Sequence, residues 1–428
     1  MRSASLALFG LVAACSSGAA AVGGSVDASS DAPVAPVVDA AADVIPDVDA
    51  AIDADAAPDP CAEAGVPAST LACTGLYADF ATKEVAANAY AYTPSTPLWS
   101  DGAQKQRWIE LPANTQIDIS NPNEWTFPVG TKLFKEFRVE GKRVETRMFQ
   151  KQMADFWVYA TYAWNSDDSA ATINFGGPVP VPVGDGGTTW TIPSNDDCNE
   201  CHRGRLDRIL GFEQVGLGLP GAQGLTLAQL AEMGLVTPAP ANVSLAIGDD
   251  GTGLDALALG WLHVNCGVTC HNSNPSAAGY GAGMLLRLDP SQLDGTPPNA
   301  ATWDILNTTV NVPCVSGSVA GLPRIRPHDA ASSVIDQLIG ERGALQMPPI
   351  ASLVVDTPDV AVVSSWIQAM ATDAGAPPLE AGAFDGGEHH ARDAGELDAG
   401  ADSAAPLDSA APGPDAMPGD GSVAEDAD

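Results

Sequence analysis

Apolar and charged residues alternate at period two along 143–148, where Val144, Thr146 and Met148 interleave with Arg143, Glu145 and Arg147. That pattern predicts a strand with one apolar and one charged face, as a half-solvated antiparallel sheet requires. Segments 132–139 and 142–150 flank Glu140-Gly141, a hairpin signal. Further strands are expected at 107–111 and 157–164, the second ended by Asn165-Ser166-Asp167-Asp168. The stretch from Gly176-Gly177-Pro178 to Gly186-Gly187 reads as loop. No helix pattern follows it, so it is not a phosphate-binding motif.

After residue 200 the period becomes helical. Apolar residues recur at helical spacing through 225–235, and Leu254, Leu257, Trp261 and Leu262 form a stripe. Thr357-Pro358-Asp359 reads as a helix start, with Thr to cap, Pro in the first turn and Asp to complement the dipole. Val360, Val363, Trp366, Ile367 and Met370 continue it as an apolar stripe. The expected fold is multidomain: an all-β, sandwich-like N-terminal domain and a mostly α C-terminal one. Six of the nine Trp lie between 99 and 190, and a sandwich core accounts for most of them.

Charge redraws the ends of this picture. The net charge is -35. Residues 16–60 hold nine Asp and no Lys or Arg, and 373–428 hold fourteen acidic residues and one Arg. Both flanks are Ala, Asp, Pro, Gly and Ser with almost no aromatics. Such segments bury too little apolar surface to offset chain entropy. They read as a disordered tether and a disordered acidic tail, and His389-His390 as a solvated pair within the tail. The acidic balance excludes nucleic acid as a partner, which needs clustered basic charge.

The N-terminus sets the compartment. Met1-Arg2 precedes a short apolar run that ends in Leu11-Val12-Ala13-Ala14-Cys15. This looks like a bacterial lipoprotein signal, with Cys15 as the lipidated first residue of the mature chain; an ordinary secretory signal is the alternative. Either exports the protein. The run is too short to span a bilayer. The membrane partner is then reached through the lipid, at the periplasmic face or surface of an outer membrane.

Two cysteine runs carry the chemistry: Cys198-Asn199-Glu200-Cys201-His202 and Cys266-Gly267-Val268-Thr269-Cys270-His271. The first is the c-type haem attachment pattern. Its thiols form thioethers to the porphyrin edge, and His202 is held under the ring as an iron ligand. The second has one extra residue and reads as a variant of the same device, with His271 as ligand. A Cys₄ zinc site or two disulfides are the alternatives. Only 6 His occur in 428 residues, so both pairs would be followed by His by chance in roughly 1 in 5,000 arrangements, and a four-thiolate site gives neither histidine a task. Cys61 and Cys73, twelve residues apart in an exported chain, are expected to form a disulfide. Cys314 is left over, and three roles are open to it: a free thiol, a bridge to another chain, or a competitor for Cys266 or Cys270. Met347-Pro348-Pro349 is a stiff extended loop, and Met347 can offer a thioether to iron opposite His271.

Gly260-Trp261, Cys270-His271, Met347-Pro348-Pro349 and a last helix through Trp366 together resemble a c-type cytochrome domain. The resemblance implies that the first and last helices cross near Gly260 and Trp366, and that Met347 is the sixth ligand. A wider resemblance covers about 92–372. Thr96-Pro97-Leu98-Trp99-Ser100-Asp101-Gly102-Ala103, Phe127-Pro128-Val129-Gly130-Thr131-Lys132, Arg143-Val144-Glu145-Thr146-Arg147, Ile192-Pro193-Ser194 and Leu210-Gly211-Phe212 are similar to a family of bacterial dihaem c-type cytochromes. That family implies a β-rich domain, a first haem run and a cytochrome c domain. The chain departs from it in the extra residue of the second run. It also lacks a Met-Pro partner for the first haem; His263, Met233 and Met284 are the candidates.

The expected organisation is a signal at 1–15, a tether at 16–60, a β-rich domain at 61–195, a first haem segment at 196–252, a cytochrome c-like domain at 253–372 and a tail at 373–428. The expected function is single-electron transfer by two covalently attached haems to a redox partner protein. A peroxidase-like haem enzyme and a non-redox surface binding lipoprotein are the competing classes. No Ser-His-Asp arrangement, paired-carboxylate motif or nucleotide loop is legible.

Overall fold

Glu140 and Gly141 adopt positive φ, 49° and 80°, which matches the twist of the strands they join. The computed structural model describes residues 61–371, apart from 63, 175, 177 and 184–187. Cys15, the 16–60 tether and the 373–428 tail therefore lie outside the described residues. The strands that build the site are β1 (Ala89–Thr93), β2 (Gln104–Glu110), β3 (Lys132–Val139), β4 (Lys142–Met153), β5 (Phe156–Trp164), β6 (Ala171–Asn174), β7 (Val179–Val183), β8 (Thr188–Ile192) and β9 (Gln223–Gly224), with four short strands of two or three residues besides. Seven of them form one antiparallel sheet, ordered β9-β1-β2-β3-β4-β5-β6.

One face of this sheet is apolar. Trp108, Phe134, Met148 and Ala160 are cross-strand neighbours on it, and they pack against Leu71, Leu76 and Tyr77. The covering segment is tied by the Cys61–Cys73 disulfide, with Cα atoms 5.2 Å apart.

The opposite face differs from the half-solvated surface expected. It carries three rows across the strands: Ile109, Leu133, Phe149 and Tyr159; then Arg107, Lys135, Arg147 and Thr161; then Lys105, Phe137, Glu145 and Ala163. The first row joins a core with Ile209, Phe212, Leu227 and Leu230. Glu145 is fully buried. Its charge is met inside the protein, by Arg147 at 2.6 Å and by the Trp190 indole N–H at 2.9 Å. A charged face tolerates burial when every charge finds such a partner.

Residues 179–183, expected as part of a loop, form strand β7, which pairs antiparallel with β8 (188–192) as a two-stranded hairpin. Its Pro180 and Pro182 fit because a two-stranded ribbon leaves each strand one edge with no ladder to donate to. Trp190 seats the hairpin on Phe137, ring centroids 5.6 Å apart. Among the described residues no second large sheet is present.

Beyond residue 237 the described residues contain no strand. In chain order the helices are α1 (Asn195–His202), α2 (Gln214–Gly218), α3 (Leu227–Glu232), α4 (Asp255–Leu262), α5 (Asp304–Asn307), α6 (Val334–Gly340) and α7 (Thr357–Ala369). A π turn, His263–Gly267, continues α4 into the second cysteine run. Leu259, Leu262, Trp303, Ile339, Val363, Trp366 and Ile367 make the core here. Two reciprocal bonds tie α4 to α7: the Trp261 indole donates to Asp356 and the Trp366 indole donates to Asp250, both at 2.9 Å. The N-cap of α7 is Asp356 rather than Thr357, and no side chain caps it; the Asp356 carboxylate serves Trp261 instead. The space a side chain at Gly260 would fill faces Thr96, at 3.4 Å, rather than α7.

Candidate functional site

Ser194 begins the first site. Its hydroxyl accepts from the Asp197 N–H, and the Asp197 carboxylate accepts from the Ser194 N–H, a reciprocal capping box. The helix it starts, α1, carries Cys198 and Cys201 one turn apart and ends at His202. Both thiols therefore project to one side. They and His202 line a cavity of about 570 Å³ between the sheet and the β7–β8 hairpin. Trp99 and Trp190 line it too, whereas Trp108, Trp125, Trp157 and Trp164 are buried in cores. The loop around 350–354, just beyond Met347-Pro348-Pro349, supplies another wall.

His202 is fixed twice. Its ring stacks on Phe149 of β4 at a centroid distance of 4.3 Å. Its Nδ1 lies 2.5 Å from the Arg208 carbonyl oxygen, so Nδ1 carries the proton and donates, leaving the Nε2 lone pair free. This is the second-contact arrangement that orients a metal-binding imidazole. Burial pulls its pKa down to about 4, with the Arg208 carbonyl opposing and Lys135 and Arg147 assisting. Burial pushes the Cys201 thiol up to about 11 and raises Cys198 as well.

The second run begins on the π turn that follows α4, with Cys266 and Gly267, and continues past its end through Cys270 and His271. Cys266 and His271 line a separate cavity of about 300 Å³, together with Met347 and Met284. Burial pushes the Cys266 thiol up to about 12 and the His271 pKa down to about 4. The Nδ1 of His271 is buried without a hydrogen-bond partner, a cost that a bound group nearby would relieve. Arg324 braces the cavity wall by donating to the Gly283 and Thr308 carbonyls at 2.8 and 2.7 Å.

The two runs abut. A Cβ on Gly204, two residues past His202, would stand 1.9 Å from the carbonyl oxygen of Thr269, inside the second run. Only glycine permits this approach of backbone to side-chain-free backbone. Below the first cavity the Asp207 carboxylate is saturated: it accepts from Lys151 at 2.8 and 2.7 Å, from the Trp157 indole at 2.7 Å and from the Phe127 N–H at 2.6 Å.

Among the described residues, Cys198, Cys201, Cys266, Cys270 and Cys314 are all free thiols. They do not converge with each other or with a histidine into a group of three or more ligands; the one such group is Asp249, Asp250 and Asp255. The arrangement thus offers one cavity lined by Cys198, Cys201 and His202 and another lined by Cys266 and His271, rather than a single tetrahedral centre. Cys270 lines neither cavity, so the first site presents the full donor set for a haem and the second presents one thiol and one imidazole. Cys314 lines the second cavity beside Cys266 without bridging to it.

Of the candidates for a partner to His202, none is in the first cavity. His263 is buried with both ring nitrogens engaged, Nδ1 accepting from the Leu288 N–H at 2.9 Å and Nε2 at 3.3 Å from Glu213. Met233 is exposed at the end of α3. Met284 belongs to the second cavity. Sequence reasoning missed Phe149, Lys135 and Gly204. The first two lie within a strand pattern that reads as ordinary sheet, and Gly204 bears no mark until its neighbour is known. Comparison with protein-family models, with curated proteins and with solved structures finds no match for this chain.

Proposed function

We propose that this chain belongs to the class of proteins that hold haem covalently through paired cysteines. Within that class it acts as an exported, lipid-anchored dihaem c-type cytochrome that passes single electrons to a redox partner protein. The observation that carries the reading is the cavity of about 570 Å³ lined by both thiols and the histidine of the first run, beside a second of about 300 Å³ lined by Cys266 and His271. When bound, each haem supplies a one-electron Fe(III)/Fe(II) couple.

The chain's own residues do the rest. Cys198 and Cys201 hold the first porphyrin and His202 ligates its iron, with Arg208 and Phe149 setting the imidazole. Cys266 and Cys270 hold the second and His271 ligates its iron, in the sense of a cytochrome c-like domain over 253–372. Met347 lines the same cavity as His271 and would offer its thioether to that iron. A soft thioether favours Fe(II) and raises that potential. The contact of Gly204 with Thr269 supports electron exchange between the two centres, because it leaves little protein between the runs. Cys15 anchors the chain to the membrane, and the acidic flanks keep it clear of nucleic acid.

The test is the intact mass of protein matured with haem-attachment machinery. Two covalent haems per chain are expected. A mass with one removes the second run from the reading, and a mass with none refutes it.

A further inference from the structure

The first cavity holds His202 but neither a methionine nor a second histidine. The side chains lining it were therefore compared as donors to a metal opposite His202. Arg147 is taken in a bidentate pair with Glu145, at 2.9 and 2.6 Å, and a guanidinium does not give up its proton. The indole nitrogens of Trp99 and Trp190 donate to the Val354 carbonyl and to Glu145 and have no lone pair to offer. The Asp101 carboxylate accepts from the Leu353 and Val354 N–H groups at 3.0 and 2.9 Å. Lys135 remains. It has no hydrogen bond and no ion pair among the described residues, and its Nζ stands 5.0 Å from the centroid of the Phe137 ring.

We propose that Lys135 is the sixth ligand of the haem held by Cys198 and Cys201, its amine bonding iron on the side opposite His202. The proposal rests on the dihaem reading and deepens it. Placement favours it. His202 stacks on Phe149, and Lys135 lies on the same sheet face in the next row, opposite Arg147, about 7 Å along the strand. Charge favours it too. Lys135 is flanked in register by Arg107 and Arg147, and one carboxylate, Glu145, already serves Arg147. Burial first, and then Arg107, Lys105 and Arg147, hold its pKa well below the usual lysine range. Burial and these cations thus oppose a charge on the amine, and the neutral amine is the form that offers iron a lone pair. A hard nitrogen donor favours Fe(III) where a thioether favours Fe(II), so this ligand sets the first haem below the second in potential and gives transfer within the chain a direction.

The experiment uses the full chain carrying both haems, counted by intact mass. Low-temperature electron paramagnetic resonance and the near-infrared bands of ferric haem are recorded for the parent, Lys135→Ala, Lys135→Arg and Lys135→Met. The parent should show one imidazole–amine haem. Lys135→Ala and Lys135→Arg should retain both haems, lose that signature and turn one haem high-spin. Lys135→Met should replace the amine band by a second thioether band. An imidazole–amine signature that is absent from the parent, or that survives in Lys135→Arg, overturns the proposal. Survival in Lys135→Arg would mark the lysine as a positive charge for a propionate. A parent lacking the first haem altogether refutes the dihaem reading instead, which the mass alone reveals.

Discussion

Gly204→Ala places one methyl group where the two cysteine runs meet. The added Cβ would start 1.9 Å from the Thr269 oxygen and 3.0 Å from its carbonyl carbon. Bringing the first distance to the tightest tolerable contact of 3.0 Å requires a movement of about 1.1 Å, and the obstacle is backbone, which has no rotamer to change. Overpacking of this kind costs about 1–3 kcal/mol, and the rigidity of the obstacle puts it at the upper end. Replacing Gly by Ala stabilises by about 0.4–1 kcal/mol through the unfolded chain, so the steric term wins by roughly 2 kcal/mol. For a folded region of about 300 residues, with an unfolding entropy of about 2.1 cal/mol/K per residue, that corresponds to a fall in Tm of roughly 3 °C. Thermal unfolding of the haem-loaded protein, followed by circular dichroism, measures it. Both haems should remain attached, since no cysteine changes, while the rate of electron exchange between them should drop as the runs separate. A variant that melts at or above the parent temperature would refute the close approach of Gly204 to Thr269.

Three further outcomes are expected. Asp207→Ala strands the Lys151 ammonium, which is 1% exposed, and should cost about 3–5 kcal/mol in urea unfolding; a loss under about 1 kcal/mol would mean that the ion pair is not buried. Glu213 is buried, which disfavours its charge, yet the bonds from His263 and the charges of Arg205 and Arg287 outweigh this and hold its pKa at about 2 against 4.5. Its contribution is complete above about pH 4.5, and about 3 kcal/mol is lost as pH falls toward about 2, because the unfolded chain takes up the proton first. Glu213→Gln should flatten the stability–pH curve in that window, and an unchanged slope there would contradict the assignment. Met347→Ala should keep both haems and lose the sulfur-to-iron near-infrared band of the second, with a lower potential; persistence of the band would transfer the ligand role to Met284.

Much of the architecture is written locally. Period-two alternation located β4, the Glu140-Gly141 pair located its hairpin, and the apolar stripe through Trp366 located α7, because each depends on neighbours within a turn or a strand. The two cysteine runs with their histidines are legible for the same reason: spacing in sequence is spacing in space over five or six residues.

Tertiary structure decided the rest. A plain two-residue turn would set Lys135 opposite Thr146. The irregularity between Phe137 and Arg138 shifts the register by one, so that Lys135 meets Arg147 instead. One unpaired residue thereby gathers the cations into a single row beneath the first cavity, and no local pattern announces it. Burial of Glu145 depends on the β7–β8 hairpin folding over the charged face, and the value of Gly204 depends on a carbonyl sixty-five residues away. The sequence by itself determined many of the strands and helices and displayed the two cysteine runs, which are short-range. Which donors face each cavity, and how closely the two runs approach, follow from long-range packing that only the folded chain contains.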